Sequence, residues 1–143
     1  MSKKTPRIAE RIERFRAHPS GYDPHYLGYF DCFNAGLYYE AHDVLEELWL
    51  PCRGQADDFF YKGLIQLAGA FVHFQKGRLG PGVALLKLAV GNFVRYPSPH
   101  HGFDHHSIER QIQAWILQAS AGASASNPLA TGPAPRLSLA LWK

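Results

Sequence analysis

Residues 63–74, Gly-Leu-Ile-Gln-Leu-Ala-Gly-Ala-Phe-Val-His-Phe, are apolar nearly all the way round a helix. A helix of that kind cannot lie on a surface, so it must be surrounded by other elements. The helical pattern runs from about Ala56 to Lys76, where Gly77 closes it, and it is the longest in the chain. It reads as the centre of a bundle. Lys62, Gln66, Gly69 and His73 follow one another at four, three and four residues, so they make one stripe on this helix. A buried Lys, Gln or His without a partner costs about 1–3 kcal/mol or more. The stripe must therefore meet polar groups on a neighbour.

The rest of the chain supplies helices to do the surrounding. Thr5-Pro6 reads as a cap and first residue of a short amphipathic helix carrying Ile8, Ile12 and Phe15, about residues 6–17. Asp23-Pro24 starts a second by the same logic, through Tyr26, Leu27, Phe30 and Phe33 to the break at Asn34-Ala35-Gly36. Others follow from Leu37 to about Leu50, from Pro81 to about Arg95, and from the cap Asp104 through Ile108, Ile112, Trp115 and Ile116. No strand pattern remains. The expected fold is all-α, a compact bundle of about five helices in antiparallel pairs, with residues 1–121 as one domain. A faint echo between FNAGLYYEAHDVLEEL and FQKGRLGPGVALLKLA is too poor to make a solenoid. Residues 122–143 are rich in Gly, Ala, Ser and Pro and read as a disordered tail, although the closing LSLALWK could dock as an apolar hook.

The densest chemistry lies in EAHDVLEELW. At 100° per residue, Leu37, Ala41, Val44, Leu45 and Leu48 share the core arc, with Tyr38, His42 and Trp49 on its shoulder and Glu46 a turn beyond His42. Glu40, Asp43 and Glu47 point the other way and read as a solvated stripe. Antiparallel packing across Arg53-Gly54-Gln55 would bring Glu46 and Glu47 towards Lys62 and Gln66, and His42 towards Gly69 and His73. Three readings of this cluster stand open: a network that fixes helix register, a divalent metal held by His42, Glu46 and His73, or a small-ligand or acid–base site with His42 polarised by Glu46. The duplicated Glu-x-x-His of di-iron bundles is absent.

Two further clusters read more plainly. His100, His101, His105 and His106 flank Gly102-Phe103-Asp104 and suggest an exposed polar loop able to capture metal adventitiously. The first sixteen residues carry a net +4, with Arg7, Arg11 and Arg14 on one stripe, against +3 for the whole chain of 143 residues. A basic amphipathic helix can bind nucleic acid, but too few base-reading groups accompany this one to argue for sequence recognition. A solvated outer face is the plainer account. No apolar run approaches the roughly 20 residues of a membrane span, the N-terminus lacks the apolar stretch of a signal peptide, and Cys32 and Cys52 form no C-x-x-C pattern. A cytoplasmic location is the expectation. Walker, GxGxxG, HExxH and nucleophile-elbow motifs do not occur.

Phe33-Asn34-x-Gly36, then Glu40-Ala41-His42-Asp43-x-Leu45-Glu46-x-x-Trp49, then Gly63-Leu64-Ile65-Gln66-x-Ala68-x-Ala70-x-x-His73 resemble the signature of the domain of unknown function 309 family. The resemblance covers about residues 26–95, and Asp43 stands where that family usually has Glu. It implies a small all-helical fold and no established reaction. The expected function is a non-catalytic ligand-binding or protein-interaction module, with His42, Glu46, Glu47, Lys62, Gln66 and His73 as a structural or ligand-holding polar cluster and with a protein partner or a second copy of the chain left open. The alternatives are a metal-dependent, hydrolase-like enzyme using His42, Glu46 and His73, and a nucleic-acid binder using the basic N-terminal helix.

Overall fold

A computed structural model describes residues 6–140, and the helices form where the caps and the apolar spacing place them. They are α1 (Pro6–Glu13), α2 (Pro24–Asn34), α3 (Tyr38–Trp49), α4 (Asp58–Gln75), α5 (Leu79–Phe93) and α6 (His105–Ala119). No strand occurs among the described residues, only isolated bridges of Phe103 with His100 and with Leu139. The fold is all-α.

Asp23 caps α2 by accepting from the His25 N–H at 2.7 Å, with Pro24 at the first helical position. Gly36, at φ +77, reverses the chain into α3 within three residues, which sets α2 and α3 side by side. α5 begins at Leu79, two residues before Pro81. Proline is tolerated there because the first-turn N–H groups have no intrahelical partner. Asp104 caps α6 through the Ser107 N–H, and bonds from the Ser107 and Ser98 side chains help hold its carboxyl below the usual carboxylate value.

α4 is the hub. It packs against α3 on one side and α5 on the other, and its Phe60, Leu64, Leu67, Ala68, Ala70, Phe71 and Phe74 are all buried. Gly63 is where α5 comes closest: a Cβ there would stand 2.8 Å from the Phe93 ring. Rings fill the interior, with Phe33, Tyr38 and Phe71 mutually in contact at centroid distances of 5.0–5.8 Å.

Four expectations need correction. Asp43, assigned to a solvated stripe, is 4% exposed, because α2 covers that side of α3. The tail is not disordered over its described part. Leu137 and Leu139 are 3% and 4% exposed, and Asn34 brackets Leu137 by donating to its carbonyl and accepting from its N–H, both at 2.7 Å. Asn127 donates to the Phe74 carbonyl at 2.6 Å, and the Ala140 N–H donates to Gly102 at 2.8 Å. These residues build no core of their own, so composition argues against order; they become ordered by closing the apolar ends of other helices. Leu141, Trp142 and Lys143 of the expected hook lie outside the described residues.

The third correction concerns the histidine loop, of whose histidines only His101 and His106 are exposed, with His100 half-buried. His105 is fully buried, with Nδ1 bonded to Glu109 and Nε2 2.8 Å from the Pro97 carbonyl. The fourth is the basic stripe. Arg11 and Arg14 both donate to Asp31 of α2, at 2.5 and 2.6 Å, so they tie α1 to the bundle beside the buried Ile12 and Phe15. That use of their charge undercuts a nucleic-acid face. Lys3, Lys4 and Thr5 lie outside the described residues, as do the side chains of Pro6, Arg7 and Ile8.

Candidate functional site

Where α3, α4 and α5 meet, they form a cavity of about 280 Å³, open to solvent on one side and lined by Tyr39, His42, Ile65, Gln66, Gly69, Val72, His73 and Leu85. Three residues picked from helical spacing, His42 on α3 and Gln66 and His73 on α4, therefore line one space. Gly69 of the same stripe lies between them and admits α5, since a Cβ there would sit 3.2 Å from Leu85 Cδ1. The remaining walls are apolar apart from the Tyr39 hydroxyl. Tyr39 is exposed at 64%, and its ring lies nearly parallel to that of His42, 6.2 Å away.

The polar lining is unevenly satisfied. Gln66 Oε1 accepts from Asn92 Nδ2 of α5 at 2.7 Å, and Asn92 is itself buried. The two imidazoles are not satisfied in this way. His42 Nδ1 and His73 Nδ1 are enclosed and have no hydrogen-bond partner, and among the described residues they are the buried side-chain polar atoms in that condition. Buried polar atoms are satisfied in the great majority of cases, so a coincidence of two such atoms on one cavity needs a cause. With no bond at Nδ1, neither ring has its tautomer or its orientation about χ2 pinned from that side.

The other expected members lie elsewhere. Glu46 is not part of the cavity wall, and because His42 Nδ1 bonds nothing, no carboxylate polarises that ring through it. Glu47 faces α2, its Oε1 4.0 Å from His25 Nε2. Lys62 Nζ lies 6.0 Å from the centre of the Phe59 ring, beyond the cavity. Trp49 is used structurally: its indole N–H donates to Asp58 at 2.8 Å, and the Gly54 N–H donates to the other carboxylate oxygen at 2.8 Å. Those bonds, Gly54 first, hold the exposed Asp58 carboxyl below its ordinary value.

Sequence spacing also missed residues. Among those described, the groups of three whose metal-ligating atoms lie within 4.8 Å of one another are Asp57, His100 and His101, and His105, His106 and Glu109. His42, Glu46 and His73 do not form one. Asp57 has both carboxylate oxygens on imidazoles, Oδ1 2.9 Å from His100 Nε2 and Oδ2 2.8 Å from His101 Nε2. Burial raises its carboxyl, but the bonds with His101 and His100 outweigh that and leave it below the usual value. A separation of more than forty positions hid this pairing, and only the adjacency of the two histidines signalled it.

Four of the eight cavity residues, His42, Ile65, Gln66 and His73, are among those that carried the family resemblance, and the comparison with known families bears on the same stretch. Residues 26–85 match the family model Domain of unknown function (DUF309). The segment is DUF309-like. It contains α2 from Tyr26 on, α3, α4 and the first turns of α5, and with Leu85 it takes in every residue of the cavity wall. An uncharacterized protein of Aquifex aeolicus (strain VF5) is 28% identical over 81 residues, which is 57% of this chain. The match spans 24% of that protein's own length, so the likeness concerns a minor part of it. No solved structure matches the chain. No helix among the described residues is long and apolar enough to cross a membrane.

Proposed function

We propose that the DUF309-like segment is a small-ligand binding module, and that its site is the cavity between α3, α4 and α5. The observation that carries the reading is the pair of unpartnered imidazole nitrogens, His42 Nδ1 and His73 Nδ1, on residues that line one cavity. A network whose purpose was to fix register would satisfy its own atoms, as Gln66 and Asn92 do. Both nitrogens are closed to a water-sized molecule as the rings stand, so a ligand satisfies them by turning the rings, which no bond at Nδ1 resists.

The cavity also limits the ligand. An apolar void of about 150 Å³ accepts benzene, and drug-sized ligands occupy roughly 300–1,000 Å³. At about 280 Å³ the site suits a molecule of one ring or a short chain. Ile65, Val72 and Leu85 call for an apolar body, and the imidazoles with Gln66 for one hydrogen-bonding group. Tyr39, exposed and lying over His42, stands at the rim where such a molecule would enter.

The test is a thermal-shift screen of one-ring carboxylic acids, phenols and amides against the full chain, with Zn²⁺ in a separate arm. A ligand at 100 times its Kd adds about 2.7 kcal/mol to the stability of the folded state. The reading requires at least one organic probe that stabilises the wild type and loses its effect in both Gln66→Leu and His73→Leu. Stabilisation by Zn²⁺ alone, abolished by His42→Ala and His73→Ala, would favour the metal-dependent alternative. No stabilisation by any probe would count against both.

A further inference from the structure

We propose that Asp57, His100 and His101 form a binding site for a divalent transition metal of the zinc class, separate from the interhelical cavity. Asp57 occupies the N-cap position of α4 but makes no side-chain cap. Its two oxygens are given instead to the Nε2 atoms of two imidazoles, at 2.9 and 2.8 Å. Two nitrogens and a carboxylate within 4.8 Å of one another are the donors of a three-ligand site with positions left open for water or an anion.

The backbone makes an effort to bring them together. His100 and Phe103 exchange both main-chain hydrogen bonds, at 3.0 and 2.9 Å, across His101 and Gly102, whose φ values are +47 and +75. That is a two-residue turn of the I′ type, in which Asn, Asp or Gly is preferred at the first central position. Here the position holds His101, the one described non-glycine residue with positive φ. A residue kept in a disfavoured backbone region points to a function for its side chain. Tyr26 secures the turn by donating to the His101 carbonyl at 2.8 Å.

The rings are held as ligands need to be. Tyr61 lies parallel to His101 at 6.3 Å, and Phe60 and Tyr96 pack on His100 at 4.6 and 4.8 Å between ring centres. Side-chain exposures of 20%, 39% and 30% for His100, His101 and Asp57 leave the set reachable from solvent. Bonds of about 2.0–2.2 Å to a tetrahedral ion put neighbouring ligand atoms roughly 3.3 Å apart. The two carboxylate–imidazole pairs need only open by about half an ångström from their hydrogen-bonded spacing, and all three ligand atoms already lie within 4.8 Å of one another. Imidazole donors select zinc, cobalt or nickel over calcium and magnesium. The other group of three is a poorer candidate, because both ring nitrogens of buried His105 are already used by Glu109 and the Pro97 carbonyl.

The experiment is a Zn²⁺ titration of the full chain, purified without a histidine tag, in competition with a chromophoric chelator, and a parallel Co²⁺ titration read by visible absorption. The variants are Asp57→Asn, His101→Asn and the double change His42→Ala/His73→Ala. Asparagine suits the turn at position 101, so His101→Asn removes a ligand without endangering the fold. One equivalent of Zn²⁺ is expected to bind the wild type and the cavity double variant alike. Binding should weaken by at least about 100-fold in His101→Asn and Asp57→Asn, with loss of the Co²⁺ bands, since removing even an outer partner of a ligand costs 10–100-fold. If Asp57→Asn does not fold, His101→Asn decides alone. Unchanged affinity in His101→Asn, or loss of binding only in the cavity variant, overturns the proposal. Failure here leaves the organic-ligand site at His42 and His73 standing, and failure of that site leaves this one standing.

Discussion

The strongest consequence of the unpartnered imidazoles is that one of them can be removed with a gain in stability. In His73→Leu the side-chain volume is nearly conserved and an enclosed Nδ1 that bonds nothing disappears. The main chain at this position keeps its role, since the His73 carbonyl accepts from the Lys76 and Arg78 N–H groups whatever the side chain. Leucine is also the better helix former. A buried unsatisfied polar atom costs about 1–3 kcal/mol. Imperfect packing of leucine against Val72 and Leu85 offsets part of that, so a net gain of about 1 kcal/mol is expected. For a chain of this size that is about 4 °C in Tm.

The assay is urea unfolding followed by far-UV circular dichroism, with the slope m checked for constancy so that the midpoint reports stability. His42→Leu should behave alike. Asn92→Leu should do the opposite and lose about 1–3 kcal/mol, because it strands Gln66 Oε1. The stabilised His73→Leu protein should bind no cavity ligand, the exchange of stability for function typical of binding sites. If His73→Leu and His42→Leu each lose 1 kcal/mol or more, their nitrogens are satisfied in solution. The cavity would then be a structural feature and the binding reading would fall with it.

Other expectations follow from single contacts. Gly63→Ala places a Cβ 2.8 Å from Phe93 and should cost about 1–3 kcal/mol, whereas Gly91→Ala meets nothing within 4 Å and should gain about 0.5–1 kcal/mol; thermal melts compare them directly. Asn34→Ala breaks both bonds to Leu137 and should cost about 1–3 kcal/mol, seen as faster amide exchange at Leu137 and earlier proteolysis after residue 124. Asp58 has a folded-state pKa below its ordinary 3.8, so the stability it contributes is present above that value and is lost as pH falls through the lowered one. Trp49 emission should report the loss below about pH 4, and Asp58→Asn should remove that acid transition; an unchanged profile in the variant would show that the indole bond is not coupled to Asp58 titration.

What could be read in advance was whatever depends on one helix at a time. The buried character of α4 follows from a stretch that is apolar nearly all round, and the shared stripe of Gln66, Gly69 and His73 follows from 100° per residue, so their lying on one face was legible, although the space beside them was not. His42 joined them because a short connection forces α3 and α4 to lie antiparallel. Which acid would answer them was not legible. A helical wheel assigns an acidic stripe to solvent by default, and α2 occupies that side instead, burying Asp43 and drawing Glu47 to His25. The same limit applies to the tail, where order comes from Asn34 and Asn127 gripping a backbone about a hundred and about fifty residues away in sequence. It applies most to Asp57. An acid before a helix reads as a cap, and nothing local says that a turn more than forty residues later will present two imidazoles to it. Local periodicity therefore grouped the polar residues of α4 on one face, while each acidic partner depended on a long-range closure that single-helix reasoning does not contain.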